Sequence, residues 1–548
     1  MLHGGLAWAG PRRQTIHEPK ESLYCVQRRL VPNQGVHDAS EQQMNGLNVE
    51  TTAGIVEGME QGGVARFLGV PFGGAPLGQR RFLAPSPPAP WAGVRSAKMS
   101  RTSPPQLPSP VLIDSGDQAP GDEDCLELDI TTPAADDARR PVMVWFYGGG
   151  FTIGSAGTYD PTSMVARGDV VVVTVNYRLG VLGFSYLQHL DEHYAGSANA
   201  GIRDQIESLR WVRDNIASFG GDPECVTIFG QSAGGHSVGC LLTCPDAEGL
   251  YHRCILESSS GWGLRSIQWA EEVTTNLMTT LDVSSVDALL ASGVDDILAV
   301  QAALPMRPPG AVSPGGGPRS MGVAAFPFAP TLDQVVLHGE VIDEVAAGRA
   351  PQVPILICHT RDEIRLFDAM GFLPDPSDEK ELRAFMSMGL VDTAAAVGAY
   401  RQAEPDGSLK DFFISYLTDQ TYHMPDFRFA DVRAPHDPRI WMARFSWRSP
   451  AENNTFGACH GMDIPFLFWR SGETGGFLDG YEAPSELAFA MQDAWATFAR
   501  TGDPNCGSLP SWPRYTAKDR DVMELNTESH VLTDPDGPMR EIWKGVIF

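Results

Sequence analysis

What this chain lacks narrows it before any motif is read. No run of about 18 apolar residues occurs in the 548-residue sequence, so no segment is long and apolar enough to cross a bilayer as a helix. Positive charge is scarce: 41 Lys and Arg stand against 68 Asp and Glu, a formal charge of −27. A surface of that sign repels phosphate backbones and anionic headgroups, which excludes nucleic acid as a partner and favours neutral or cationic small ligands. The nine cysteines are odd in number and show neither a disulfide framework nor the Cys/His spacing of a zinc site. Cys240, Cys244 and Cys254 are read as buried thiols, and no metal or other cofactor is expected. The opening MLHGGLAWAGPRRQTIHEPK puts its short apolar part ahead of Arg12 and Arg13, the reverse of a secretory leader, so the expected compartment is the cytoplasm.

What is present is a globular composition, 43% hydrophobic and 20% charged. Residues 1–45 are polar and aperiodic and are expected to form a loose tail, with one domain over 46–548. GIVEG and VARFLGVPFG alternate and end in Gly and Pro, as strands entering turns do. Four other runs, in PVMVWFYGGGF, DVVVVTVNYRLGVLGF, CVTIFGQSAGG and VPILICHTRDE, are continuously apolar. Continuous runs require burial on both faces, the mark of a mostly parallel sheet covered by helices. NAGIRDQIESLRWVRDNIASFG supplies such a helix: Ile202, Ile206, Leu209, Val212 and Ile216 fall near helical spacing and Gly220 stops it. The fold class is α/β. RPPGAVSPGGGPRSMG reads as a mid-chain Gly/Pro loop, and no internal repeat is present.

One of the apolar runs ends in Gly230-Gln231-Ser232-Ala233-Gly234, which fits the G-x-S-x-G turn between a strand and a helix. Side chains two before and two after the serine would collide in so sharp a turn, which explains the glycines. The helix that follows aims its first amides, Ala233 above all, at any negative charge forming near the serine. Gly148, Gly149 and Gly150 close a second buried run and can complete such an anion site. A serine still needs a base and an orienting acid. Seven histidines lie beyond the turn helix: His252, His338, His359, His423, His436, His460 and His530. Asp333, Asp362 and Glu363 compete as acids.

Several segments together resemble the type-B carboxylesterase family, which also holds cholinesterases and bacterial para-nitrobenzyl esterases. They are FLGVPFGGAPLGQRRFLAPSPPAPWAGV, EDCLELDI, PVMVWFYGGGFTIGSAGTYD, VVVVTVNYRLGVLGF, NAGIRDQIESLRWVRDNIASFGGDPECVTIFGQSAGG, RDEIRLF, CHGMDIPFLF and WATFARTGDPN, in the family's order from Asn48 to the C-terminus. The resemblance implies an α/β-hydrolase fold with insertions forming a lid or gorge. It also implies a Ser232–His460–Glu363 triad, with an oxyanion hole from the amides of Gly149, Gly150 and Ala233. His460 matches the His of the family's H-G-x-[DE]-[IL] segment, and Glu363 the acid of its D-E segment.

Departures from the pattern matter too. Family members that are secreted pair the Cys of EDCL with one upstream, but the segment before Cys125 has none, and only Cys25 precedes it. Cys125 is expected to be free. Gln231 stands where cholinesterases carry Glu, which argues against choline esters. Asn453-Asn454-Thr455 is a glycosylation sequon that matters only for a secreted protein.

The expected activity is a serine carboxylesterase acting on neutral, small to medium hydrophobic esters through an acyl-enzyme. The alternatives are an amidase or carbamate hydrolase, or a non-catalytic relative that binds without reacting, which the intact serine argues against. The expected partner is a small-molecule ester, and the expected assembly a monomer or weak homodimer. The variable loops near Trp262 and residues 305–325 would line the gorge.

Overall fold

The four continuous apolar runs become parallel strands of one sheet, three of them adjacent and the fourth one strand further on, with their apolar stretches buried. A computed structural model of the protein describes residues 47–108, 121–259, 263–304, 326–469, 476–478 and 481–546. The tail expected over residues 1–45, Cys25, Trp262 and the loop expected over 305–325 lie outside these. The strands are β1 (Leu47–Glu50), β2 (Ile55–Gln61), β3 (Val64–Pro71), β4 (Val94–Ser96), β5 (Glu127–Thr132), β6 (Arg140–Phe146) and β7 (Val171–Val175). They continue with β8 (Gly221–Gln231), β9 (Arg253–Glu257), β10 (Ile355–Thr360), β11 (Ile440–Phe445), β12 (Asp521–Leu525) and β13 (His530–Thr533).

One sheet runs β1-β2-β3-β5-β7-β6-β8-β9-β10-β11-β12-β13, with β4 beside β2. The stretch from β7 to β12 is parallel throughout, whereas β1, β2, β3, β5 and β13 pair antiparallel at the two sides. The alternating segments GIVEG and VARFLGVPFG are the antiparallel strands β2 and β3. The split follows the burial each pattern can support: parallel strands need cover on both faces, and antiparallel strands tolerate one wet face.

The helix expected after Asn199 spans Ala200–Asn215 and buries Ile202, Ile206, Leu209 and Val212. A 3₁₀ turn, Ile216–Phe219, follows, and Gly220 takes φ +82° to end it. Asp204 on this helix faces the core and is fully buried. Its carboxylate accepts from the backbone amide, Nε and a terminal nitrogen of Arg178 at 3.0, 2.8 and 2.7 Å. A charge buried this deeply is tolerable only when an opposite charge is hydrogen-bonded to it. The pair fastens the helix to the segment leaving β7. Strand β8 begins at Gly221, four residues before the apolar run that signals it, because its first half is only partly buried.

Among the described residues no helix is long and apolar enough to cross a membrane. The eight described cysteines are free thiols, Cys125 among them as expected, and Cys240, Cys244 and Cys254 are buried as expected. The carboxyl ends of β6, β8, β10 and β11 open to one side of the sheet, where ligands of open α/β sheets bind.

Candidate active site

Strand β8 ends at Gln231 and a helix, Ala233–Thr243, starts two residues on, leaving Ser232 alone to turn the chain. Ser232 takes φ +58° and ψ −123°, a strained conformation for a residue with a side chain. It is held from both directions: its amide donates to the Glu257 carbonyl at the end of β9 (2.9 Å), and its carbonyl accepts from the His236 amide (2.9 Å). Glycine is required on either side. A Cβ on Gly230 would lie 2.5 Å from the Phe146 carbonyl oxygen and 2.6 Å from the Gly234 carbonyl carbon, and one on Gly234 would lie 1.8 Å from that same oxygen. The obstacle is thus the neighbouring strand β6 as well as the two turn positions meeting each other.

The chain leaving β6 passes beside this turn. A Cβ on Gly148 would approach the Ser232 Cβ to 2.9 Å, so the glycine turn lies directly against the serine. Gly149, at φ +112°, has its Cβ position blocked by the Ile153 carbonyl oxygen at 2.2 Å, and that close turn needs glycine. Among the described residues nothing accepts a hydrogen bond from the amides of Gly149, Gly150 or Ala233.

His460 and Glu363 come together from loops after β11 and β10. The His460 amide donates to the Glu363 carbonyl (3.1 Å), and His460 Nδ1 lies 2.5 Å from Glu363 Oε2. Glu363 Oε1 accepts from the Thr360 amide at 2.7 Å. Glu363 is fully buried and His460 nearly so. The rival carboxylates are occupied elsewhere. Asp362 Oδ2 accepts from the Ala458 amide (3.0 Å) and Arg448 Nε (3.1 Å). Burial works to raise the Asp362 pKa, but the charges of Arg361 and Arg448 and the Ala458 amide outweigh it and hold the carboxyl below its usual range. Asp333 Oδ1 caps a turn, accepting from the amides of Val335, Val336 and Leu337.

The other ring nitrogen of His460 does not meet the serine. His460 Nε2 lies 3.2 Å from the side-chain nitrogen of Gln231, and the Ser232 hydroxyl has no hydrogen-bond partner among the described residues. With the Nδ1 proton directed at Glu363, Nε2 accepts and the Gln231 amide donates. This contact joins residues 229 positions apart, and no local pattern signals it. Aromatic rings surround the pair: Tyr422 and Phe367 lie 4.9 and 5.6 Å from the His460 ring. Phe326 comes within 3.9 Å of the Cβ position of Gly150, and Phe477 within 3.7 Å of that of Gly461.

The fold also gathers one set of groups that sequence spacing does not reveal. A ligand atom each of His359, His423 and Asp536 lies within 4.8 Å of the others. Both nitrogens of His423 are already bonded, and the Arg444 guanidinium sits 3.1 Å from Asp536. A divalent cation there would face the fixed charge of Arg444 and have to displace both bonds of His423, so the set is an ion-pair and hydrogen-bond cluster.

Two further carboxyl groups are buried close by. Glu257 accepts from Trp495 Nε1 at 2.5 Å through Oε1, while Asp463 has both oxygens unpartnered among the described residues. Burial first, and then the charge of Asp463, push Glu257 well above the usual carboxyl range; burial and the charge of Glu363 push Asp463 up to about 7. For Asp463 the sign follows: its folded-state value exceeds its unfolded value, so the folded state is penalised as pH rises from about 4 to about 7, and fully above that. Asp463→Asn should therefore stabilise the protein at about pH 8 and do little at about pH 4, measured by denaturant unfolding at both. Equal effects at the two pH values would contradict this.

The carboxylesterase family model matches residues 45–542. The para-nitrobenzyl esterase of Bacillus subtilis (strain 168) is 33% identical over 516 residues, covering 90% of this chain and 97% of that protein. The phenmedipham hydrolase of Pseudarthrobacter oxydans is 32% identical over 490 residues, covering 87% and 94%. A carboxylesterase structure from Geobacillus stearothermophilus superposes with a TM-score of 0.77 at 36% identity, covering 91% of this chain and all of that one. With a serine held in a strained strand-to-helix turn of a mostly parallel sheet, and matches spanning nearly its whole length, the chain belongs to the carboxylesterase family and is an α/β-hydrolase that cleaves carboxylic esters.

Proposed function

We propose that Ser232, His460 and Glu363 form the catalytic triad of a serine carboxylesterase acting through an acyl-enzyme. The observation that carries this reading is the His460–Glu363 contact of 2.5 Å, with Nε2 of the same ring directed toward the Ser232 turn at Gln231. Glu363 orients the imidazole and stabilises the imidazolium formed during attack. His460 Nε2 exchanges the Gln231 amide for Ser232 Oγ, a local adjustment typical of a site without substrate. Ser232 Oγ then bonds to the ester carbonyl carbon while His460 takes its proton. The carbonyl oxygen, now an oxyanion, is held by the amides of Gly149, Gly150 and Ala233. Collapse breaks the ester bond and His460 returns the proton to the leaving alcohol. Water repeats the sequence to free the acid.

The rings of Phe326, Phe367, Tyr422 and Phe477 around this point favour neutral, small to medium hydrophobic esters. We assign the catalytic domain to residues 46–548, supported by the family match over 45–542. The free thiols, six of the eight buried, support a cytoplasmic location.

Two measurements test this. Glu363→Gln should lower kcat by about 10⁴-fold, as loss of the orienting acid does elsewhere, while Asp362→Asn costs far less. The reverse order would move the acid to Asp362. A series of p-nitrophenyl esters of rising chain length, run beside an anilide and an aryl carbamate, should show the short and medium esters turned over with the highest kcat/KM. An anilide or carbamate outrunning every ester would make the enzyme an amidase or carbamate hydrolase.

A further inference from the structure

Behind the Glu363 carboxylate lies an enclosed set of ionisable groups that the reaction above leaves unused. His423 ends the turn Asp419–His423 and is 5% exposed. Its Nδ1 lies 3.2 Å from Asp419 Oδ1 and its Nε2 2.8 Å from the Thr360 carbonyl oxygen. The Thr360 carbonyl only accepts, and Asp419, which burial pushes up but the His423 contact and the Tyr400 hydroxyl pull down, accepts as a carboxylate; both bonds then require a proton on each nitrogen, and the ring is an imidazolium. Asp419 is fixed in turn, because its Oδ2 accepts from the Tyr400 hydroxyl (2.8 Å), which accepts from Trp543 Nε1 (3.2 Å). Thr360, the last residue of β10, presents its carbonyl to His423 and its amide to Glu363 Oε1. An unbroken path therefore runs from Trp543 through Tyr400, Asp419, His423, Thr360 and Glu363 to His460.

The surroundings favour charge on His423 and not on its neighbour. Burial pulls the His423 pKa down, but the hydrogen bond and charge of Asp419, the charge of Asp536 and the Thr360 carbonyl lift it above the usual histidine value. His359 on β10, its ring centroid 4.3 Å from that of His423, is driven well below that value by burial, by the His423 charge and by Arg444 of β11. Asp426, which faces His359 Nδ1 at 3.2 Å from the next helix, is pushed well up by burial and by Glu363. Arg444 pairs with Asp536.

We propose that His423 is a positioning residue for ester hydrolysis: as an imidazolium clamped between Asp419 and the Thr360 carbonyl, it fixes the strand end whose amide holds Glu363 against His460. This role presupposes Glu363 as the acid of the triad. It adds a dependence on pH that the triad alone does not have. A neutral imidazole carries one N–H, which stays on Nδ1 against the charged Asp419 carboxylate, so loss of the proton breaks the bond to the Thr360 carbonyl. The clamp is complete at lower pH and is lost as pH rises through the His423 value, which places the effect on the alkaline side. Because His423 touches no substrate, the loss falls on kcat and not on KM.

The test uses the full-length enzyme and a p-nitrophenyl ester, with kcat and KM measured against pH. His423→Phe removes both donors and should lower kcat about ten- to a hundredfold at neutral pH with KM nearly unchanged, the scale of a small misplacement of a catalytic group. His423→Gln keeps one donor for the Thr360 carbonyl but cannot titrate. It should recover most of kcat and abolish the alkaline fall expected of the parent. The downfield proton resonance of His460 Nδ1–H should be retained in the Gln variant and weakened in the Phe variant. A residue that merely fills the core would change the melting temperature and leave the alkaline limb in place. Wild-type kcat in a folded His423→Phe enzyme, or the parent's alkaline limb persisting in His423→Gln, would overturn the role. If Glu363→Gln is inactive in the same assays, the triad reading survives that outcome; if Glu363→Gln is active, the triad reading itself fails.

Discussion

Everything at this site depends on holding one serine in a backbone conformation it does not favour. Ser232 at φ +58° and ψ −123° is strained, and such strain persists only where the surroundings over-determine it. Here the surroundings are the sheet. Strand β9 takes the Ser232 amide, the turn helix takes its carbonyl, and the backbone of β6 presses so closely on Gly230 and Gly234 that only glycine fits. The three strands are adjacent and parallel, so the packing that builds the core also sets the turn. The glycine turn after β6 lies against the same serine because β6 neighbours β8, which brings Gly148 to the Ser232 side chain without any further element.

A second constraint is charge. Glu257, Asp463, Glu363, Asp426 and Asp419 are all buried within the same part of the fold. Ionised together they would repel strongly in a low-dielectric interior. Burial and mutual repulsion push Glu257, Asp426 and Asp463 upward, which limits the negative charge around Glu363. Asp419 is partnered by His423 and Asp362 by arginines. The negative charge thus stays with Asp419, where the His423 contact opposes the upward push of burial, and with Asp362 against its arginines.

Much of this was legible in the sequence. Continuous apolar runs gave the parallel strands, because burial on both faces leaves no polar position in the repeat. The amphipathic spacing gave the helix over Ala200–Asn215, and the glycines flanking Ser232 gave the turn, although the pressure from the Phe146 carbonyl lies on another strand and could not be read. The choice between Asp362 and Glu363 was beyond local pattern: adjacent residues in a turn point apart, and only the position of His460, 97 residues away, shows which carboxylate faces it. The same holds for Gln231 against His460 and for the His359–His423 cluster. Spacing reports what one helix or strand places on its face; contacts between loops from different strands leave no period.

In the proposed reaction Ser232, the glycine turn and His460 surround one reacting carbonyl. A crystal structure of the enzyme after reaction with diethyl p-nitrophenyl phosphate addresses it most directly. Phosphorus should be bonded to Ser232 Oγ, with the phosphoryl oxygen about 3 Å from the amides of Gly149, Gly150 and Ala233 and His460 Nε2 turned from Gln231 toward the ester oxygen. Phosphorus on another side chain, or a phosphoryl oxygen facing away from the glycine turn, would contradict it.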